Sequence, residues 1–78
     1  MPTVFRWKGY RFFWYQADGN EPPHVHIWKD GKECKVWLAD GSVAFNRGHA
    51  PADLRALIGV TNQHREELLK VWNEQFGN

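Results

Sequence analysis

The chain has 78 residues, which is enough for one domain with a thin core, because a chain of this size buries only about 60% of its unfolded surface. Its formal net charge of +1 gives no sign of wholesale nonspecific nucleic-acid binding, although a local basic patch is compatible with it. Cys34 is the single cysteine, so an internal disulfide is excluded. No apolar run resembles a signal peptide or a membrane span, and we expect a soluble cytoplasmic protein.

Residues 3–16 predict a β-hairpin. Aromatic and β-branched residues are frequent at residues 3–7 and 10–15, as is typical of strands. Lys8-Gly9 fits a two-residue turn, because glycine readily adopts positive φ. This turn places Trp7 opposite Tyr10.

The segment from His24 to Trp37 predicts a second hairpin. Asp30-Gly31 is the strongest turn signal in the chain, and a two-residue turn there pairs His26 with Lys35. Because side chains alternate along a strand, this register separates an apolar set from a polar and aromatic set, and a shift by one residue would mix them. One face carries Val25, Ile27, Cys34, Val36 and Leu38; the other carries His24, His26, Trp28, Glu33, Lys35 and Trp37.

Two loops flank the second hairpin. Residues 17–20 have the turn chemistry of a loop, and Asp40-Gly41 marks another turn. A short strand at residues 42–46 follows this second turn. The sheet therefore has four or five strands.

Residues 51–75 predict one long helix. Pro51 suits a first helical turn, and Asp53 is favoured near the positive end of the helix. Gly59 weakens the helix locally, so a continuous helix and a split near Gly59 both remain open. Apolar residues recur at helical spacing at Leu54, Leu57, Ile58, Leu68, Trp72 and Phe76.

Together these elements predict an α+β fold, in which an antiparallel sheet of two hairpins plus a short strand is followed by a long C-terminal helix packed on one face. We expect a single domain over residues 1–78, with a β-sheet region at 3–46 and a helical region at 51–76. The helix is expected to cover the more uniformly apolar face. The open face would then carry Arg6, Arg11, His24, His26 and Lys35, interleaved with Phe13, Tyr15, Trp28 and Trp37.

The segment Glu21-Pro22-Pro23-His24-Val25-His26 is the best candidate for chemistry. Its histidines are two residues apart on a strand, so they leave the same face. They are suited to general acid–base catalysis, because imidazole titrates near neutral pH. Alternatively they are surface residues, or one of them orders the proline loop through a hydrogen bond.

A shared metal ion is the remaining interpretation of the two histidines. Neutral imidazoles bind transition metals, but a site needs a third ligand. The candidates for that ligand are Glu21, His49 and His64. Cys34 is expected to point to the opposite face and to pack there as a small apolar group.

Cations interleaved with aromatic residues give this face a second possible use. Single-stranded RNA is commonly held by stacking on aromatic side chains, with cations on the phosphates. A protein-binding surface uses the same residue types, and cross-strand pairing alone also explains the aromatic residues. Arg47 lies before the predicted helix, where an anion could bind or where the arginine is simply solvated.

Several motifs resemble the small bacterial domain-of-unknown-function 4160 family, and the resemblance spans nearly the whole chain. The run EPPHVH after GYRFF is the most specific part of it. The residues that carry it are Gly9-Tyr10-Arg11-Phe12-Phe13, Glu21-Pro22-Pro23-His24-Val25-His26, Trp37-Leu38, Asn46-Arg47-Gly48, His64, Trp72 and Phe76.

The resemblance implies that the protein is the toxin of a type II toxin–antitoxin pair, whose antitoxin is a small protein encoded nearby. We therefore expect action on RNA or translation, with ribonuclease activity as one mechanism, and expect no cofactor. The alternatives are a non-catalytic protein- or nucleic-acid-binding module and a metal-binding protein that uses His24 and His26; a homodimer is a further possible assembly. The candidate catalytic residues are Glu21, His24 and His26, and the candidate binding residues are Arg11, Tyr15, Trp28, Lys35, Trp37 and Arg47.

Overall fold

A computed structural model describes residues 3–77 of the chain. Five antiparallel strands form one sheet in the order in which they occur along the chain, and two helices follow. This arrangement confirms the predicted α+β fold. The elements are β1 (Thr3–Trp7), β2 (Tyr10–Phe13), β3 (His24–Lys29), β4 (Lys32–Trp37), β5 (Val43–Arg47), α1 (Pro51–Gln63) and α2 (Arg65–Phe76), with a 3-10 helix at Gln16–Asn20 between β2 and β3.

The two hairpin turns have the predicted positions and registers. Lys8 and Asp30 have φ angles of 48° and 51°, and the glycine after each also has positive φ. Positive φ at both central residues is the type I′ geometry, whose twist matches that of paired strands. The first turn places Trp7 opposite Tyr10, and the second places His26 opposite Lys35.

The hydrophobic core lies between the sheet and the helices. Side chains of β2, β3 and β4 meet side chains of both helices in one buried cluster, which includes Cys34. The predicted apolar face is therefore the covered face. The cluster consists of Phe12, Trp14, Val25, Ile27, Cys34, Val36, Leu38, Leu57, Val60, Leu68 and Trp72.

The predicted single C-terminal helix is wrong in one respect, because the chain forms two helices that meet at His64 rather than at Gly59. His64 has φ −105° and ψ 13°, which leaves the α-helical region. Just before it, the Thr61 hydroxyl donates a 2.8 Å hydrogen bond to the Leu57 carbonyl, a contact that bends helices. The His64 ring also packs on Phe5 at 4.4 Å between centroids. Within residues 3–77, neither helix is long and apolar enough to span a membrane.

Candidate functional site

The sheet surface opposite the core carries the sequence-predicted residues. Strand pairing places Arg11 opposite Trp28 and Phe13 opposite His26. It also places Lys35 opposite Phe45 on the next strand. Because directly paired residues project from the same side of a sheet, these side chains share one surface, which we call the histidine face. It consists of Arg11, Phe13, His24, His26, Trp28, Glu33, Lys35, Trp37, Phe45 and Arg47.

The 3-10 helix folds over one end of this face. The Asp18 N–H donates to the Tyr15 carbonyl at 2.9 Å, and the Tyr15 N–H donates to Asp18 Oδ2, also at 2.9 Å. A Cβ atom on Gly19 would lie only 2.5 Å from the Phe76 ring of α2. The 3-10 helix is thus fixed by its own capping bonds and by close packing on the last turn of α2.

Both histidines of the EPPHVH segment are buried beneath this cover. His24 is 0% exposed and His26 is 6% exposed. Aromatic rings pack around them, since His24 contacts Trp72 at 5.1 Å and His26 contacts Tyr15 at 5.0 Å between centroids. The expectation that they lie on an open surface is therefore wrong. The physical reason is that the 3-10 helix, which the sequence indicated only as a polar loop, covers the two histidine rings.

Asp18 is the group that joins the two histidines. Its Oδ2 atom lies 3.0 Å from His24 Nε2 and 3.1 Å from His26 Nε2. We call these three residues the Asp–His–His cluster. The sequence arguments proposed Glu21, His49 and His64 as partners and missed Asp18. Asp18 lies in a run of turn residues, and turn formation alone explained its presence there; no local pattern in the sequence indicated its contact with the histidines.

The other ring nitrogen of each histidine also contacts an acceptor. His24 Nδ1 lies 2.9 Å from the Pro22 carbonyl oxygen, and His26 Nδ1 lies 3.1 Å from Glu33 Oε2. A carbonyl oxygen only accepts hydrogen bonds, so His24 carries its proton on Nδ1. His26 has a carboxylate oxygen at each ring nitrogen, since its Nε2 also lies within hydrogen-bond distance of Asp18, and these two contacts fix its ring without selecting one tautomer. Each Nε2 therefore faces Asp18 from a ring that is held in one orientation.

The charge of Asp18 is stabilised by its surroundings. Burial alone would raise the pKa of this carboxyl group, but the Tyr15 N–H and the two histidines together outweigh burial and hold the pKa below its ordinary value. Asp18 therefore remains a carboxylate under ordinary conditions. A carboxylate beside two imidazoles is suited to holding a proton or a metal cation.

Around the cluster, the cations of the histidine face stack on aromatic rings. The guanidinium of Arg11 lies 4.6 Å from the centre of the Phe13 ring, and that of Arg47 lies 4.5 Å from the centre of the Phe45 ring. Lys35 Nζ lies 4.6 Å from the centre of the Trp37 ring. Three cations of the face therefore lie against aromatic rings.

Two aromatic side chains beside these cations are open to solvent. Tyr15 and Trp28 are each 40% exposed. Trp28 lies directly opposite Arg11 across the pair formed by β2 and β3, and Tyr15 packs against Phe13. Together with Phe45, Arg11, Lys35 and Arg47, these two residues form what we call the aromatic–cation rim.

The remaining candidate residues lie outside the cluster. Glu21 forms an ion pair with Lys35, which, as its hydrogen-bond donor, lowers the pKa of Glu21. His49 is buried beside the Ile27 carbonyl, with 3.1 Å between its Nε2 and that oxygen. His64 lies at the helix junction. Cys34 packs in the core as expected, and burial raises the pKa of its thiol to about 12.

A separate cleft of about 250 Å³ lies on another part of the surface. Its two lysines are accompanied by two aspartates, and it lacks a carboxylate shared by two histidines, which the histidine face has. The histidine face is the stronger candidate site. The cleft is lined by Tyr10, Lys29, Asp30, Lys32, His49 and Asp53.

Comparison with known protein families assigns the chain to one of them. A family model described as Domain of unknown function (DUF4160) matches residues 9–73. The matched region runs from the first turn into α2, so it includes the Asp–His–His cluster and the rest of the histidine face. The search of curated proteins and the search of solved structures each gave no significant match. Because the family model covers well over half of the chain, this protein belongs to the DUF4160 family of domains of unknown function.

Proposed function

We propose that this protein binds single-stranded RNA on the aromatic–cation rim, as the cytoplasmic toxin of a bacterial type II toxin–antitoxin pair. The single observation that supports RNA as the ligand is that one surface of the sheet carries three cations stacked on aromatic rings together with two aromatic side chains that are each 40% exposed. The toxin role rests on the resemblance to the domain-of-unknown-function 4160 family. A small protein encoded nearby would neutralise the toxin by covering the same face.

The rim residues divide into two roles in this proposal. Arg11 and Arg47 contact backbone phosphates, because a guanidinium offers several donors to phosphate oxygens. Tyr15 and Trp28 stack on bases, and each such stack contributes about 1–3 kcal/mol to binding. Neither contact depends on base identity. The expected ligand is therefore unpaired RNA with little sequence preference.

Cleavage of the RNA is a further step, for which the candidate residues are Glu21, His24 and His26. A histidine that acts as general base must reach the 2′-hydroxyl through a free ring nitrogen. Asp18 lies at Nε2 of both histidines, so a substrate would have to displace this carboxylate first. Binding is therefore better supported than cleavage. Intact RNA after prolonged incubation with the protein would exclude cleavage without affecting the proposal of binding.

Fluorescence anisotropy with a short labelled single-stranded RNA tests the binding proposal. We expect Trp28→Ala to weaken binding by roughly 5–150-fold, corresponding to about 1–3 kcal/mol for one lost stack. Val71→Ala is the matched control, because Val71 is a comparably exposed apolar residue on α2. Equal affinity of wild type and Trp28→Ala, or equal losses in both variants, would contradict the proposal.

The salt dependence of binding tests the role of the cations. Replacing Arg47 with Gln removes one phosphate contact, and the slope of log affinity against log salt should decrease by about 0.7 for a single strand. Arg55→Gln is the control, because Arg55 is exposed on α1, away from the rim. A slope that falls equally in both variants would mean that binding reflects general charge only.

Growth measurements test the toxin role separately. Expression of the chain alone should arrest growth, and co-expression with the small protein encoded beside it should restore growth. Arrest should weaken in Trp28→Ala and persist in Val71→Ala. Normal growth on expression of the wild type would refute the toxin role, even where RNA binding is confirmed in solution.

A non-catalytic protein-binding module is the second candidate. The observation that favours it is Trp28, an exposed tryptophan opposite an arginine, since these two residue types most often anchor protein interfaces. The partner would be the antitoxin or a second copy of this chain. Sedimentation of the chain alone and with the partner separates these cases, and Trp28→Ala should weaken the complex without any RNA present.

A further inference from the structure

We propose that Asp18, His24 and His26 form a binding site for a divalent transition-metal ion such as Zn²⁺. The three residues offer ligand atoms that all lie within 4.8 Å of one another. This inference goes beyond RNA or partner binding, because the site lies beneath the aromatic–cation rim and requires neither ligand.

The orientation of the histidines is the first argument. Metal-binding histidines almost always donate their second ring N–H to a carbonyl or carboxylate, which fixes the ring and increases the basicity of the ligating nitrogen. His24 has the Pro22 carbonyl at 2.9 Å from Nδ1, and His26 has Glu33 at 3.1 Å from Nδ1. His24 Nε2 is thereby left with a lone pair on the side of Asp18. His26 Nε2 has the same lone pair in the tautomer that donates its Nδ1–H to Glu33.

An unsatisfied polar atom is the second, independent argument. His24 is completely buried, and among the described residues its Nε2 has no hydrogen-bond partner. Asp18 Oδ2 lies 3.0 Å away, but it is out of line with the ring nitrogen, so the close approach is not a hydrogen bond. A cation bound by both atoms would satisfy the buried nitrogen.

The distances fit shared coordination. With metal–ligand bonds of about 2.0–2.1 Å and angles near 90–110°, neighbouring ligand atoms lie roughly 2.9–3.4 Å apart. The two observed distances from Oδ2 to the Nε2 atoms are 3.0 and 3.1 Å. Two of the three distances between ligand atoms therefore already match shared coordination, and the third is no more than 4.8 Å.

The donor set selects the class of metal. Two imidazole nitrogens and one carboxylate oxygen suit Zn²⁺, Fe²⁺, Co²⁺ or Ni²⁺, whereas Mg²⁺ and Ca²⁺ prefer oxygen ligands alone. Three protein ligands leave one or more positions for water or an anion. Asp18 keeps 13% of its side chain exposed, which gives an ion a point of entry.

Titration calorimetry of the full chain, prepared without a histidine tag, tests the site with ZnCl₂ as the probe and MgCl₂ as the negative control. We expect one Zn²⁺ per chain and no Mg²⁺ binding. Asp18→Asn should lose at least about 10-fold in Zn²⁺ affinity. His64→Gln is the matched control, because His64 lies at the helix junction, and it should bind as the wild type does.

Nitrogen-15 spectra of the wild-type histidine rings keep the proposal testable if Asp18→Asn does not fold. Saturation with Zn²⁺ should shift Nε2 of His24 and His26 and leave Nδ1 protonated. Absence of binding, shifts confined to His49 or His64, or equal loss of affinity in Asp18→Asn and His64→Gln would each overturn the proposal. Because no RNA is present in these experiments, the outcome is independent of the RNA-binding proposal.

Discussion

The two faces of the sheet are built from the same strands but are buried by different means. On β3, Val25 and Ile27 are fully buried against the helices, while His24 and His26 are almost as well buried on the other side. The apolar face needs only a cover of similar shape, because the hydrophobic effect is not directional. The histidines need partners with particular donors and acceptors, because an unpaired polar group is costly to bury.

The elements that cover the two faces differ in the same way. Two helices supply apolar side chains to the core, whereas one 3-10 helix of five residues supplies a single carboxylate to the two histidines. The core spreads its stabilisation over many contacts. The Asp–His–His cluster concentrates stabilisation in a few polar contacts. Substitutions on the two faces should therefore change the free energy of unfolding by different amounts.

The largest expected effect concerns neighbouring residues of β3 on opposite faces. Ile27→Ala should lower the free energy of unfolding by about 2–5 kcal/mol, because it leaves a cavity in the core. Trp28→Ala should lower it by about 1 kcal/mol or less, because Trp28 is 40% exposed. Urea unfolding of both variants measures the contrast. Equal losses would mean that the rim side chains pack as tightly as the core.

An intermediate effect is expected at the contact between the 3-10 helix and α2. In Gly19→Ala the new methyl group would lie 2.5 Å from the Phe76 ring, and the displacement should cost about 1–3 kcal/mol. The same variant should weaken Zn²⁺ binding, because Asp18 moves with the 3-10 helix.

Two further variants control for the Gly19 substitution. Gly59→Ala, in α1, meets open space and should stabilise the protein by about 0.5–1 kcal/mol. Adding Phe76→Leu to Gly19→Ala should recover part of the lost stability and of the Zn²⁺ affinity. No recovery in this double variant would show that the ring contact is not the cause.

The smallest expected effect is a difference in acid sensitivity, measured with a chelator present. The pKa of Asp18 is lower in the folded protein than its ordinary value of 3.8. At pH values between the two pKa values, the folded state therefore binds fewer protons than the unfolded state. The contribution of Asp18 to stability is present above the ordinary value and is lost as the pH falls through the folded-state pKa. Urea unfolding between about pH 3 and pH 6 should show a shallower loss in Asp18→Asn than in the wild type.

Asp40→Asn provides the comparison for this measurement. The Ser42 hydroxyl and N–H donate to the Asp40 carboxylate and lower its pKa, but Asp40 lies outside the histidine face. Its replacement should also reduce acid sensitivity while leaving Zn²⁺ affinity unchanged. Identical acid sensitivity of Asp18→Asn and the wild type would contradict the role given to Asp18.

The amino-acid sequence by itself determined the sheet and its two faces. Asp30-Gly31 favours one turn geometry, and that turn together with the alternation of apolar and polar residues permits a single register of β3 against β4. The same alternation assigned Cys34 to the core and Lys35 to the histidine face. Such features are local, because turn preference and side-chain alternation act over a few residues.

Only the tertiary structure decided which residues meet across the chain. The break at His64 depends on packing against Phe5 of β1 as well as on Thr61. Helix propensities describe single residues and cannot predict a contact between a helix and a distant strand. Asp18 lies near the histidines because Gly19 allows the 3-10 helix to pack closely on Phe76 of α2. Local preferences identified a turn at residues 17–20, but the position of that turn over His24 and His26 was set by its contact with Phe76, more than fifty residues away in the chain.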